Sequence, residues 1–142
     1  MPHFPTLSSR VDATLCERSL PQARRQLFEA VAASSAKPPV AASDASWLAA
    51  DPTLTGIDRA KVESWISSIP LSDGTRRLRI ELLPLSGRDC ISLKLFEECA
   101  PELAPEGDPR TWHACGDPSS GPFLRVREDI LGRLGVAAGE VD

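Results

Sequence analysis

RRLRIELLPLSGRDCISLKL, residues 76–95, holds two runs in which apolar and polar side chains alternate. In the first, Leu78, Ile80 and Leu82 alternate with Arg77, Arg79 and Glu81. In the second, Ile91, Leu93 and Leu95 alternate with Cys90, Ser92, Lys94 and Phe96. Successive side chains of a strand point to opposite faces, so each run reads as a strand with one aliphatic face. Leu85-Ser86-Gly87-Arg88-Asp89 between them supplies turn chemistry. The two runs are expected to pair as an antiparallel hairpin. Pro84 has no N–H to give a ladder, which predicts loosened pairing near the turn or an edge position.

An aliphatic sheet face needs cover, and helices upstream are the natural source. Leu7, Val11 and Leu15 recur every four residues, which predicts a first helix over 7–18. Ser19 is placed to cap a second, with Pro21 in its first turn. Leu20, Leu27, Phe28 and Val31 form its inward stripe, Arg24 and Arg25 face water, and the helix fades at Ser34-Ser35. Lys37 to Asp44, with Pro38-Pro39, has linker composition, and Ser46 to Ala50 makes at most one turn. Thr55-Gly-Ile-Asp58 resembles a capping box. Val62, Trp65, Ile66 and Ile69 follow at i, i+3, i+4 and i+7, which predicts a third helix ended by Pro70.

Downstream, Glu98 to Arg110 reads as an acidic surface loop, Thr111 to Cys115 as a short strand, and Phe123 to Arg127 as a last strand. Glu128 to Leu134 reads as a closing helix, with Gly135 just past its end. The expected class is α+β: N-terminal helices packed on a small antiparallel sheet built around a β-hairpin, with a C-terminal helix. Residues 1–6 read as a flexible tail. Residues 7–142 read as a single domain with a Pro/Ala/Ser linker near 35–45.

The chain has 142 residues, enough for one real core, and its hydrophobic content of 42% argues against global disorder. A net charge of -4 offers nucleic acid no broad attraction, and the absence of Tyr leaves little stacking surface. Val31 to Ala50, the longest weakly polar stretch, is broken by Lys37, Pro38, Pro39 and Asp44, so no membrane insertion is expected. The start, Met1-Pro-His-Phe-Pro, lacks the pattern of a Sec signal. A cytoplasmic location is expected, with a tail that could direct non-Sec secretion. Arg outnumbers Lys 13 to 3, which suits a GC-rich, bacterial coding sequence.

Four cysteines, Cys16, Cys90, Cys99 and Cys115, stand outside CxxC range, and in the cytoplasm they are expected as reduced thiols. Thiol catalysis needs a histidine in reach; His3 lies in the tail, which leaves His113 beside Cys115, Cys90 or Cys99. Zinc could use the same residues, but their spacing fits no common knuckle. Neither a GxSxG elbow nor a phosphate loop occurs. Adjacent carboxylates at Glu97-Glu98 and Glu128-Asp129 read as solvated surface. No catalytic residue, metal ligand or cofactor is assigned. Arg76, Arg77 and Arg79 form the clearest charge feature, with Arg77 and Arg79 outward on one strand face. They either guard an exposed strand or meet an acidic protein partner. Trp65 belongs to the helix stripe, whereas Trp47 and Trp112 lie in loops, as packed aromatics or interface anchors.

Residues 76–95 loosely resemble the C-terminal domain of flagellar hook-length-control proteins and their type III secretion substrate-specificity relatives. Leu83-Pro84 and Gly87 carry the likeness, and Ile130 to Leu134 corresponds to a later helix. The spacing from Pro84 to Gly87 departs from that pattern, 98–121 reads as an insertion, and the family's Pro/Gln-rich ruler is missing. The resemblance implies a noncatalytic export-control role through protein contacts. The expected function is therefore a noncatalytic protein-binding accessory protein, a bacterial secretion adaptor or export-control protein. Its binding residues are Arg76, Arg77, Arg79, Trp47 and Trp112. The alternatives are an immunity-like inhibitor exposing acidic residues from Glu97 to Asp108, a secreted effector, or a thiol or zinc enzyme using His113 with Cys115 or Cys90.

Overall fold

The alternating runs at 76–95 form the centre of an antiparallel sheet in the computed structural model, which describes residues 13–35, 37–42, 54–103, 107–115 and 120–135. Strand β4 is Arg76–Pro84 and β5 is Cys90–Cys99. Their register sets Leu78 opposite Glu97, Ile80 opposite Leu95 and Leu82 opposite Leu93. Pro84 is the last residue of β4, opposite Ile91, where a missing donor costs the ladder least. It does not mark an edge, because β4 lies inside the sheet.

The other strands are β1 (Ala13–Cys16), β2 (Val40–Ala41), β3 (Glu63–Ser68) and β6 (His113–Ala114). The order is β1-β5-β4-β3-β2, and β6 shares the outer edge of β5 with β1. Helices α1 (Leu20–Ser35) and α2 (Gly121–Arg133) complete an α+β fold of two helices and six strands among the described residues. Ser19 Oγ accepts from the Gln22 N–H, and Gln22 Oε1 accepts from the Ser19 N–H, a reciprocal cap that starts α1. Ser120 caps α2 by accepting from the Phe123 N–H, and Gly135 takes φ +73° just beyond the helix.

Leu78, Ile80 and Leu82 of β4 and Ile91, Leu93 and Leu95 of β5 meet Ala23, Leu27 and Val31 of α1 and Phe123, Val126 and Ile130 of α2 in one core. Burying each large aliphatic there contributes about 1.5–3 kcal/mol. The Ser34 hydroxyl donates to Asp129 at 2.7 Å and ties the two helices together. The opposite sheet face carries a smaller apolar group, Leu54, Leu83 and Phe96, with Ile57 and Val62.

Three element expectations change, two helices and one strand. The described part of 7–18 is strand β1, with Ala13 and Leu15 buried and Thr14 and Cys16 exposed. A spacing of four is even, so it keeps side chains on one strand face as well as on one helix face. Most of 62–69 is strand β3, Glu63–Ser68, in which Trp65 lies opposite Ile80 and Ser67 opposite Leu78. Ser67, an inward position filled by a polar residue, hides the period of two. Among the described residues a single N-terminal α-helix therefore precedes the hairpin. The strand expected at 123–127 belongs to α2, where Phe123, Val126 and Ile130 make the helical stripe. The turn expected at Ser46 to Ala50 lies outside the described residues.

The cysteines are paired, contrary to the reduced state expected of them. Cys16 and Cys90 stand opposite each other in the β1–β5 ladder and form one disulfide. Cys99, the last residue of β5, bonds to Cys115 just past β6. Each bridge fastens one short edge strand to β5.

Candidate binding groove

Strand β3 ends at Ser68, and the chain turns through Ile69 to Thr75 before β4 begins. The turn is built by local bonds: the Asp73 carboxylate accepts from the Thr75 N–H at 3.0 Å. The Thr75 hydroxyl and that N–H hold the Asp73 carboxyl below its usual range. Leu71, at the tip, is 90% exposed and has φ +64°, a left-handed conformation in which its Cβ crowds the backbone carbonyl. An exposed apolar residue held in such a backbone points to function.

Beside this turn a groove of about 570 Å³ runs across the end of the sheet. Edge strand β2 contributes Val40, 55% exposed, from within the stretch that reads as linker. Ile66 of β3, Pro70 and Leu71 continue the apolar floor, and Trp112, immediately before β6, forms the far wall. Lys37, Arg76 and Arg77 supply positive charge, and among the described residues no carboxylate lines the groove.

Register explains how the arginines diverge. Arg77 shares the face away from the helices; its Nε donates to Glu98 Oε1 at 2.7 Å, and its guanidinium lies 4.3 Å from the Trp112 ring centroid. Arg76, one residue earlier, lies on the other face opposite Cys99. Its Nη1 is 3.7 Å from Glu97 Oε1 and contacts Cys99 Sγ at 3.6 Å and Cys115 Sγ at 3.4 Å. Arg79 is not outward as expected: it is 2% exposed, 3.6 Å from both Glu81 and Glu98. The structure thus brings Arg76, Arg77 and Trp112 to one groove and leaves Arg79 inside the sheet face. Trp47 lies outside the described residues. Trp65 is half-buried against the core, edge-on to Phe28 at 4.7 Å.

Val40 and Leu71 were not legible as site residues, although a leucine between Pro70 and Ser72 in a turn is an anomaly that sequence inspection can flag. Glu97 and Glu98 are buried rather than solvated. Glu97 accepts from the Ser120 N–H at 2.9 Å and from the Ser120 hydroxyl, so it fixes the start of α2. His113 packs on Gly107, where a Cβ would lie 2.5 Å from the imidazole. Cys90 and Cys115 are spent in disulfides, so in this form neither is a thiolate nucleophile or a zinc ligand. No cluster of three metal-ligating side chains occurs among the described residues. No helix among them is long and apolar enough to cross a membrane.

No family model, curated protein or solved structure matches this chain. The functional reading therefore rests on the groove's own chemistry.

Proposed function

We propose that this is a noncatalytic protein-binding accessory protein whose groove takes an extended segment of a partner protein, with apolar side chains flanked by carboxylates. One observation carries the reading: Arg76, Arg77 and Trp112 converge with the exposed Val40 and Leu71 on a single groove that has positive charge and no lining carboxylate among the described residues. An apolar floor accepts side chains such as Leu or Phe, and the cations complement acidic neighbours and steer encounter. Half-buried Trp and Arg are the residue types that anchor protein interfaces.

Two disulfides support a setting outside the reducing cytoplasm, in place of the cytoplasmic location expected from the N-terminus. A role in bacterial secretion, as adaptor or export-control protein, rests on the resemblance of residues 76–95 alone. An immunity-like inhibitor with an acidic face from Glu97 to Asp108 is less well supported, because Glu97 and Glu98 lie within the sheet.

The test uses a fluorescent peptide of alternating Leu and Glu, and its Leu/Lys counterpart, titrated into the full-length oxidised protein. The reading expects saturable binding of the Leu/Glu peptide, weaker binding of the Leu/Lys peptide, and loss of binding in Arg76→Glu. Equal affinity for both peptides, or an unaffected Arg76→Glu variant, would contradict it.

A further inference from the structure

Trp112 is a groove wall with few attachments to the rest of the fold. It precedes β6, which pairs with β5 through only two residues, Ala114 opposite Glu98 and His113 opposite Cys99. One more backbone bond, from the Cys115 N–H to the Glu97 carbonyl at 2.8 Å, and the Cys99–Cys115 disulfide complete the anchorage. A two-residue ladder is too short to be stable by itself. The covalent bridge closes a loop of 16 residues, and a closure of that size contributes about two powers of ten to holding the segment in place.

The same bridge has the environment of a reactive disulfide. The Arg76 guanidinium touches both sulfurs, and a cation beside a sulfur stabilises the thiolate that leaves during exchange. Cys99 is half-buried and Cys115 buried, so attack is directed to Cys99 and Cys115 is the leaving group nearest Arg76. Glu97, the counter-charge at 3.7 Å from Arg76, is already engaged by Ser120.

We propose that Cys99–Cys115 is a thiol-sensitive clasp that holds the Trp112 wall of the groove closed. This rests on the groove reading for its effect on binding, but not for its chemistry. A thiolate of a dithiol reductant attacks Cys99 Sγ, forms a mixed disulfide and expels Cys115 as a thiolate beside Arg76. The reductant's second thiol then displaces Cys99. Overall the bridge gains two electrons and two protons and becomes two thiols, while the dithiol becomes a disulfide. The segment Gly107 to Cys115 then loses its covalent tie, and Trp112 leaves Arg77.

The experiment treats the native full-length protein with limiting dithiothreitol, traps thiols by alkylation and maps them by mass spectrometry. Hydrogen exchange of residues 107–115 is recorded on the same samples, together with affinity for the Leu/Glu peptide. The clasp predicts that Cys99 and Cys115 are alkylated before Cys16 and Cys90, the Arg76 cation outweighing the greater exposure of Cys16. It also predicts that amides from Trp112 to Cys115 lose protection, and that peptide affinity falls by about tenfold or more. A Cys99→Ser/Cys115→Ser variant, which keeps the other bridge, should show the open exchange pattern without reductant. Prior opening of Cys16–Cys90, or unchanged protection after Cys99–Cys115 is reduced, would overturn the proposal. If the peptide does not bind even the oxidised protein, the groove reading fails, while alkylation order and exchange still decide whether the clasp exists.

Discussion

Glu97 shows how much one carboxylate can organise. It is 2% exposed, and its desolvation is offset by the Ser120 N–H, the Ser120 hydroxyl and the neighbouring Arg76. Removing it leaves Arg76 without its carboxylate and α2 without its anchor. Glu97→Ala is expected to destabilise the fold by about 1.5–3 kcal/mol, read as a lower urea midpoint. Ser120→Ala, which removes only the cap hydroxyl, is expected to cost about 1 kcal/mol. Leu71 should behave oppositely. At φ +64° a glycine escapes the left-handed penalty, so Leu71→Gly is expected to gain up to about 1 kcal/mol. The same change removes the most exposed apolar side chain at the groove, so peptide affinity should fall as stability rises. A variant that is less stable, or one that binds as well as the parent, would remove Leu71 from the site.

At the scale of elements, the disulfides and the helix pair set distinct dependences. The Cys16–Cys90 bridge spans 74 residues and fixes β1 to β5. Replacing both cysteines with serine is expected to cost about 4 kcal/mol in guanidinium unfolding, on the loop-closure model. The α1–α2 contact carries an acid dependence. The Ser34 hydroxyl, with a smaller contribution from Arg133, holds the Asp129 carboxyl below its usual range. Asp129 therefore stabilises the fold above the ordinary carboxylate pKa of about 4, and this contribution disappears as pH falls through its lowered folded value. Urea midpoints measured across that range should decline less steeply for Asp129→Asn than for the parent.

Elements also show what the sequence made legible. The hairpin was readable because both strands of 76–95 alternate strictly with aliphatic residues on one face. The α1 start was readable from Ser19 and Pro21. Strands β1 and β3 were not: four-residue spacing fits either period, and Ser67 occupies an inward position. For the site, the arginines and the shared strand face of Arg77 and Arg79 were visible, but the burial of Arg79 was not. A shift of one residue sends Arg76 and Arg77 to opposite faces, and buried Arg79 meets both Glu81 two residues on and Glu98 of the neighbouring strand.

At the scale of the whole molecule, the two sheet faces do different work. One is an aliphatic core under two helices; the other carries buried charge, including Arg79, Glu81, Lys94 and Glu98. The groove lies at the end of this two-faced sheet, where β2, the β3–β4 turn and Trp112 meet. Backbone amide chemical shifts of the oxidised full-length protein, recorded during titration with the Leu/Glu peptide, report on binding at this groove residue by residue. A peptide seated in the groove gives saturable shifts confined to Lys37–Val40, Ile66–Arg77 and Trp112. Shifts centred elsewhere, or none at saturating peptide, would contradict binding there.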